Sequence, residues 1–342
     1  MNLPHSPDGL QRPTEAKAAV WSALQRLPGS DVDAHCRALL SDDSAWTVSH
    51  PVNELTGPLD VAQQLFAPLQ AALAGIERRI DLFFGGYWDG HVCGGEGQWV
   101  TCTGHYIGTF VAPLFGIPPN GQPVWLRFGE FYRVVNGRIA EARILIDLVD
   151  LARQAGCPLL PPSPGRDVLV PGPRTQDGLL RGLSDPAQSQ ASFDLVMAMI
   201  GGLGKYDRAD LDSMGMRHFW HPDMMWYGPC GIGTTRSIAG FEQFHQRPFL
   251  TAFPDRKGGN HRARFSDGAY VASTGWPSIH ATHAGPYLGE PATHRPVQIR
   301  VMDWWRAEAG LLIENWVLLD LPHCFLQFGV DLLARAGQGA RR

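Results

Sequence analysis

A chain of 342 residues with a formal net charge of −4 and no cluster of lysine and arginine lacks the electrostatic footprint of a nucleic-acid binder. Hydrophobic residues make up 44% and charged residues 18%, and no apolar run approaches the ~18 residues of a membrane helix, which leaves a globular chain long enough for about two domains. The opening MNLPHSPDGLQRPTE has neither the apolar core of a secretory signal nor the character of a transit peptide, so a cytoplasmic location and a small-molecule partner are expected.

Thr14 is placed to cap a first helix whose apolar residues Ala18, Trp21, Leu24 and Leu27 share a face, and Asp31 to cap a second running through Leu40. LDVAQQLFAPLQAAL reads as a third helix. β-rich segments follow, among them QPVWLRFGEFYRVVNGRIAEARILID, where Asn136-Gly137 is a strong hairpin signal. Six prolines between Cys157 and Pro173 exclude a continued helix or a central strand and mark a linker. Beyond it the grammar repeats, with SFDLVMAMIGGL and RADLDSMGMRHFW as paired helices, AGFEQFHQRPFLTAF as the third, and strands after. Each half therefore reads as α+β, with helices packed on one face of a mostly antiparallel sheet. The expected division is 15–156, a linker over 157–185, and 186–336.

The repeat is legible residue by residue. Asp43 and Trp46 match Asp223 and Trp226, and Pro68 matches Pro248, at an offset of 180. Further on the offset settles at 173, pairing Pro123 with Pro296, Arg127 with Arg300, Glu130 with Asp303, Arg133 with Arg306, Gly137 with Gly310, Glu141 with Glu314, Asp147 with Asp320, Gln154 with Gln327 and Gly156 with Gly329. The chain is a tandem duplication.

Strand residues alternate faces, so Glu141, Arg143, Leu145 and Asp147 point one way while Ala142, Ile144, Ile146 and Leu148 point the other. The second copy sets Glu314, Trp316, Leu318 and Asp320 against Asn315, Val317, Leu319 and Leu321. If the mixed face lines a cavity, Asp147 and Asp320 sit in apolar pockets where desolvation raises a carboxyl pKa toward that of a general acid/base. The alternative is that each Asp ends its strand and caps the next helix.

The motifs GHYIGTF, GIPPNGQPV and FYRVVNGRIAE, followed by Asp147 and RQAG, resemble the SnoaL-like polyketide cyclase family, and ATHAGPYLGEPATHRPV, WWRAEAGLLIENWVLLD and LQFG do so in the second half. The resemblance spans about residues 15 to 156 and 190 to 335. It implies two tandem cones of the nuclear-transport-factor-2-like and ketosteroid-isomerase-like kind, each a curved sheet and helices enclosing an apolar pocket, packed as an internal pseudo-dimer or also as a homodimer. It also implies lyase or isomerase-type chemistry, an aldol ring closure, without metal or cofactor, on an apolar oxygenated ligand. The expected site is Asp320 as acid/base with His283 and Trp316 around it, with Asp147 in the same role in copy one, and Tyr106, Arg143, Trp226 and Trp46 as substrate-binding positions. Copy two keeps Thr282-His283 and Trp316, although its GIPPNG-type loop decays to GEPATH. Copy one has Arg143 where copy two has Trp316, close enough along the strand to pair with Asp147, so copy two is the more cyclase-like. The rival readings are a non-catalytic binding protein and a chain with one structural and one active copy.

Other features read as structure. Six cysteines without a C-x-x-C pair fit buried free thiols. His218 with His221, and His280 with His283 and His294, lack a carboxylate in register for a metal. Arg127/Arg300, Glu130/Asp303 and Arg133/Arg306 are expected on a solvated or inter-copy ion-pair face.

Overall fold

The computed structural model describes residues 12–92 and 94–339. Cys93 and all but the last few residues of the opening stretch lie outside them.

Copy one runs α1 (Arg12–Leu24), α2 (Val32–Leu39), β1 (Leu40–Val48), β2 (Glu54–Thr56), α3 (Gly57–Val61), α4 (Ala67–Ala72), β3 (Leu73–Trp88), β4 (Gly97–Phe110), β5 (Pro123–Val135), β6 (Arg138–Ile146) and α5 (Leu148–Gln154). Its six strands lie in the order β2-β1-β6-β5-β4-β3, and β1 alone runs parallel to its neighbour β6. Copy two runs α6 (Pro186–Leu203), β7 (Trp220–Tyr227), β8 (Thr234–Arg236), α7 (Ser237–Phe241), α8 (Arg247–Ala252), β9 (Lys257–Gly258), β10 (His261–Asp267), β11 (Tyr270–Thr282), β12 (Pro296–Glu308), β13 (Leu311–Leu319), α9 (Leu321–Phe328) and α10 (Leu332–Gly339). Its sheet repeats the order as β10-β11-β12-β13-β7-β8, with β9 on β11. Each copy is a cone-shaped α+β fold of the nuclear-transport-factor-2-like kind, with helices on one face of a largely antiparallel sheet.

The duplication persists in backbone detail. In both copies the third helix is interrupted by a π turn, Ala62–Phe66 and Glu242–Gln246, just before Pro68 and Pro248. A proline lacks the N–H for the α ladder and crowds the carbonyl four residues back, so the wider turn accommodates it. The loop that decays in sequence keeps its conformation: Phe115-Gly116 and Leu288-Gly289 both take positive φ inside a short hairpin bridge. The helix readings need three corrections. Helix α1 begins at Arg12, ahead of Thr14, and α2 ends at Leu39, where β1 takes over. RADLDSMGMRHFW forms two short 3-10 turns, Leu211–Met214 and Met216–His218, because Gly215 between them adopts φ 64° and breaks the helical path.

Two cores result. One lies between each sheet and its own helices and contains Ala142, Ile144, Ile146, Val317 and Leu319. The other lies where the two sheets pack face to face and combines Leu82, Phe84, Phe131 and Leu145 of copy one with Phe265, Met302, Trp304, Trp316 and Leu318 of copy two. Trp304 rests directly on Gly129, where an added Cβ would come within 2.3 Å of its ring. Lys17 of α1 ties the copies further, pairing with buried Asp267 at 2.5 Å. The segment between the copies crosses this junction: Leu179 bridges to Phe83 and Arg166 to Thr234. Among the described residues no helix is long and apolar enough to cross a membrane.

Candidate functional site

The strand alternation read from sequence holds, but the mixed face is the one turned toward the other copy. On β12, Val301, Asp303 and Trp305 face the cone of copy two, while Met302 and Trp304 enter the sheet-to-sheet core. On β13, Asn315, Val317 and Leu319 face the cone, while Trp316 and Leu318 enter the inter-copy core.

Asp147 and Asp320 follow that parity. Asp147 caps α5 by accepting from Asp150 N at 3.0 Å, and its other oxygen accepts from Cys230 N at 2.9 Å across the junction. Asp320 caps α9 by accepting from His323 N at 3.1 Å, and its other oxygen accepts from His50 N at 3.0 Å and from Arg300 Nη1 at 2.9 Å. His50 and Cys230 are themselves repeat partners, so the two carboxyls form a reciprocal clasp between the copies. Burial raises the pKa of both, with Asp150 adding to the effect at Asp147 and Arg300 opposing it at Asp320. Asp147 also borders a small cleft of about 240 Å³ between the copies, lined by Arg127, Asp150 and Arg153 among others. That volume falls below the ~300 Å³ of ordinary ligand sites.

The other expected residues are dispersed. Trp316 donates to Pro171 O at 2.9 Å and stacks on Tyr227. Arg143 pairs with Glu141 and not with Asp147, because Glu141 lies two residues away within the strand whereas Asp147 lies four away, beyond its end. His283 is fully buried, stacks on Phe328 at 3.8 Å between ring centroids, and shares a hydrogen bond with Thr293 Oγ1. Tyr106 and Trp46 lie in the cone of copy one, Tyr106 donating to Glu130 at 2.6 Å and Trp46 packing on Phe66 and Tyr132. Trp226 lies in the cone of copy two, stacked on His245 at 4.1 Å.

The cone of copy two holds a cavity of about 560 Å³. Its walls are aromatic and aliphatic, with Trp226, Phe241, Phe249 and Trp305 beside Val317 and Leu319. Exposed Gly204, Arg208, Asp255 and Lys257 mark its mouth. Asp303 projects into it from the middle of β12. Its surface touches the cavity while protein encloses it otherwise, and this desolvation pushes its pKa up to about 7, against weaker opposing effects of Asn315 and Arg264. Its hydrogen-bond partner is Asn315 Nδ2, at a long 3.5 Å. Arg264, from β10, is 6% exposed, donates to Ser273 Oγ at 3.2 Å, and leaves Nη2 without a partner. His245 and His261 also line the cavity and are held neutral by burial, their pKa values pushed down to about 3 and about 4.

In copy one the equivalent positions are closed over. Glu130, Tyr106, Phe128 and Cys102 stand in register with Asp303, Ile279, Val301 and Ser273, all four of which line the open cavity. There Arg78 pairs with Glu130, lies over the Tyr106 ring at 4.7 Å and the Phe128 ring at 4.9 Å, and donates to Leu27 O. Tyr106 and Cys102 also donate to Glu130. Glu130 and Asp303 thus point into their cones and not onto an ion-pair face, whereas Arg127, Arg300 and Arg306 do face the junction, Arg127 donating to Tyr227 O and Gly228 O of copy two. The sequence signal for Asp303 was available: it is a lone carboxylate on the otherwise apolar helix-facing side of its strand.

Among the described residues no three His, Cys, Asp or Glu side chains gather as a metal-binding set. The five described cysteines, 36, 102, 157, 230 and 324, are buried free thiols.

The family model described as SnoaL-like polyketide cyclase matches residues 89–155 and 205–328, more than half of the chain. Among solved structures, the chain is similar to a candidate SnoaL-like polyketide cyclase from Jannaschia sp. CCS1, at 17% identity and a TM-score of 0.36, covering 45% of this chain and 99% of that one. It is also similar to AclR, a candidate hydroxylase from Streptomyces galilaeus (23% identity, TM-score 0.32, 40% and 84% covered). IdmH, a candidate polyketide cyclase from Streptomyces antibioticus, matches at 24% identity and a TM-score of 0.32, with 39% and 98% covered. No protein of curated function matches it.

Proposed function

The chain belongs to the SnoaL-like polyketide cyclase family, and on that premise we propose that copy two is a cyclase-type acid/base enzyme acting on an oxygenated, largely apolar small molecule held in its cone. The reaction type is an aldol ring closure or an isomerisation. The observation that carries this reading is Asp303, a carboxyl set among aromatic walls with its pKa pushed up to about 7. Near neutral pH such a group is present in both forms, so the ionised form removes a proton alpha to a carbonyl and the acid then returns a proton to the new alkoxide. Asp320 and Asp147 are poorer candidates for this work, since both oxygens of each are engaged by backbone N–H groups that stabilise the junction.

Copy one is then the structural copy, a reading favoured by Arg78 closing over Glu130. The two packed sheets act as an internal pseudo-dimer in a cytoplasmic protein.

Solvent-deuterium exchange at the alpha carbon of 1-tetralone, followed by proton NMR, tests the proton-abstraction step without the natural substrate. The expected result is exchange faster than in buffer alone that Asp303→Asn removes and Asp320→Asn retains. No acceleration by the wild type, or full acceleration by Asp303→Asn, would sink the proposal and leave a binding protein.

A further inference from the structure

The two cones differ at one strand position that separates the open from the closed. Arg78 of β3 and Gly258 of β9 lie at the offset of 180 that also pairs Pro68 with Pro248. They share a register too, Arg78 beside Tyr106 and Gly258 beside Ile279, which are themselves counterparts. Gly258 lies on the wall of the copy-two cavity, and a Cβ added to it would meet nothing within 4 Å. In copy one the Arg78 side chain, 4% exposed, reaches from that position to Glu130, the counterpart of Asp303. Its surroundings are those of a receptor for a guanidinium. Glu130 supplies the counter-charge, Tyr106 and Phe128 present their rings at 4.7 and 4.9 Å, and Leu27 O accepts from Nε at 3.0 Å. A carboxylate, aromatic faces and a carbonyl together meet the charge, the flat π-surface and the N–H edge of that group. Glu130 is also held independently of Arg78, by the Tyr106 hydroxyl at 2.6 Å and the Cys102 thiol at 3.1 Å. Copy two has Ile279 and Val301 in register with Tyr106 and Phe128, so the arginine and the aromatic faces occur together in one copy and are absent together from the other.

From this contrast we infer that the cone of copy one is a binding site for a guanidinium-class cation, which the chain fills with its own Arg78, and that the residue at 78 or 258 determines which cone admits an outside ligand. Copy one is then shut by an internal occupant and not by the loss of its acid. The inference goes beyond the reaction assigned to copy two and holds whether or not Asp303 reacts.

Arg78→Gly removes the atoms of one propylguanidinium ion, which makes that ion the probe. Isothermal titration calorimetry of the full chain is expected to give one site for it in Arg78→Gly, at least tenfold tighter than any in the wild type. Butylammonium has the charge without the flat N–H edge and propylurea the shape without the charge, so each should bind at least tenfold more weakly. Propylguanidinium should also raise the melting temperature of Arg78→Gly and not that of the wild type, and adding Glu130→Gln should remove the site. No site in Arg78→Gly, or one that propylurea fills equally well, would overturn the inference. If Arg78→Gly fails to fold, Gly258→Arg decides from the other copy. An arginine there should reach Asp303, and that pair exists only where Asp303 is ionised. The melting temperature of Gly258→Arg relative to the wild type should therefore rise from about pH 4 to about pH 7, since the other charged groups of the cavity wall are common to both chains and cancel. A difference that stayed flat with pH would equally overturn the inference.

Discussion

Three buried acids show how one side-chain type divides by environment. Asp147 and Asp320 accept backbone N–H groups from both copies, and Asp320 alone adds an ion pair, to Arg300. Replacing either with Asn turns an N–H donor toward a backbone donor and should cost about 1–3 kcal/mol. Asp320→Asn also removes the counter-charge of Arg300, which then keeps only its hydrogen bond to Asn53 Oδ1, and should cost the more, about 3–5 kcal/mol; urea denaturation of the two variants would show the order. Asp303 accepts no backbone N–H, only a long hydrogen bond from Asn315. Its pKa is higher folded, about 7, than the ordinary 3.8, so the folded chain binds the proton more tightly and stability falls as pH rises from about 4 to about 7. Asp303→Asn does not titrate. Its melting temperature should therefore gain on the wild type across that window, and a difference that stayed flat with pH would contradict the burial argument.

At the level of elements, the two copies of the β-hairpin use one turn with different residues. Asn136-Gly137 and Ala309-Gly310 both carry positive φ at each position, 50° and 76° against 49° and 80°. Asn adopts that conformation at little cost and Ala at more, since the Cβ crowds the following carbonyl and Ala has no side-chain hydrogen bond to offset it. Ala309 is exposed, so Ala309→Asn should stabilise the chain by roughly 0.5–1 kcal/mol, visible as a raised urea midpoint. The hairpin was legible in copy one because Asn-Gly is a strong signal, and in copy two only through the repeat. The paired 3-10 turns before β7 were not legible as such, because the apolar spacing of that stretch suits a helix and a single glycine decides otherwise.

The whole molecule is held by the face-to-face packing of its two sheets, and that packing decides which acids are taken up in the junction and which faces a cavity. Trp304 seats on Gly129 and donates to Thr101 Oγ1 at 2.8 Å, with Phe131 against its ring. A methyl group at 129 would meet the indole, so Gly129→Ala should destabilise the chain by about 1–3 kcal/mol, read as a lowered melting temperature. A smaller partner at 304 should tolerate it, making Trp304→Phe a partial rescue. The α+β class, the duplication, the hairpin and the family were all present in the sequence, because strand period, turn chemistry and repeat spacing are local properties of the chain. So was the grouping of Asp147 with Glu141 and Arg143 on one strand face. Which face lines a cavity was not, because a strand has two faces and only the partner packed against each determines whether it becomes interface or pocket. Of the residues expected at the site, Trp226 lines the copy-two cavity, while Asp303 stands in sequence among the charged repeat positions of its strand, which point to an ion-pair face. Tertiary structure alone closed the cone of copy one with Arg78 and left that of copy two open, since both outcomes depend on side chains that meet from strands far apart in sequence.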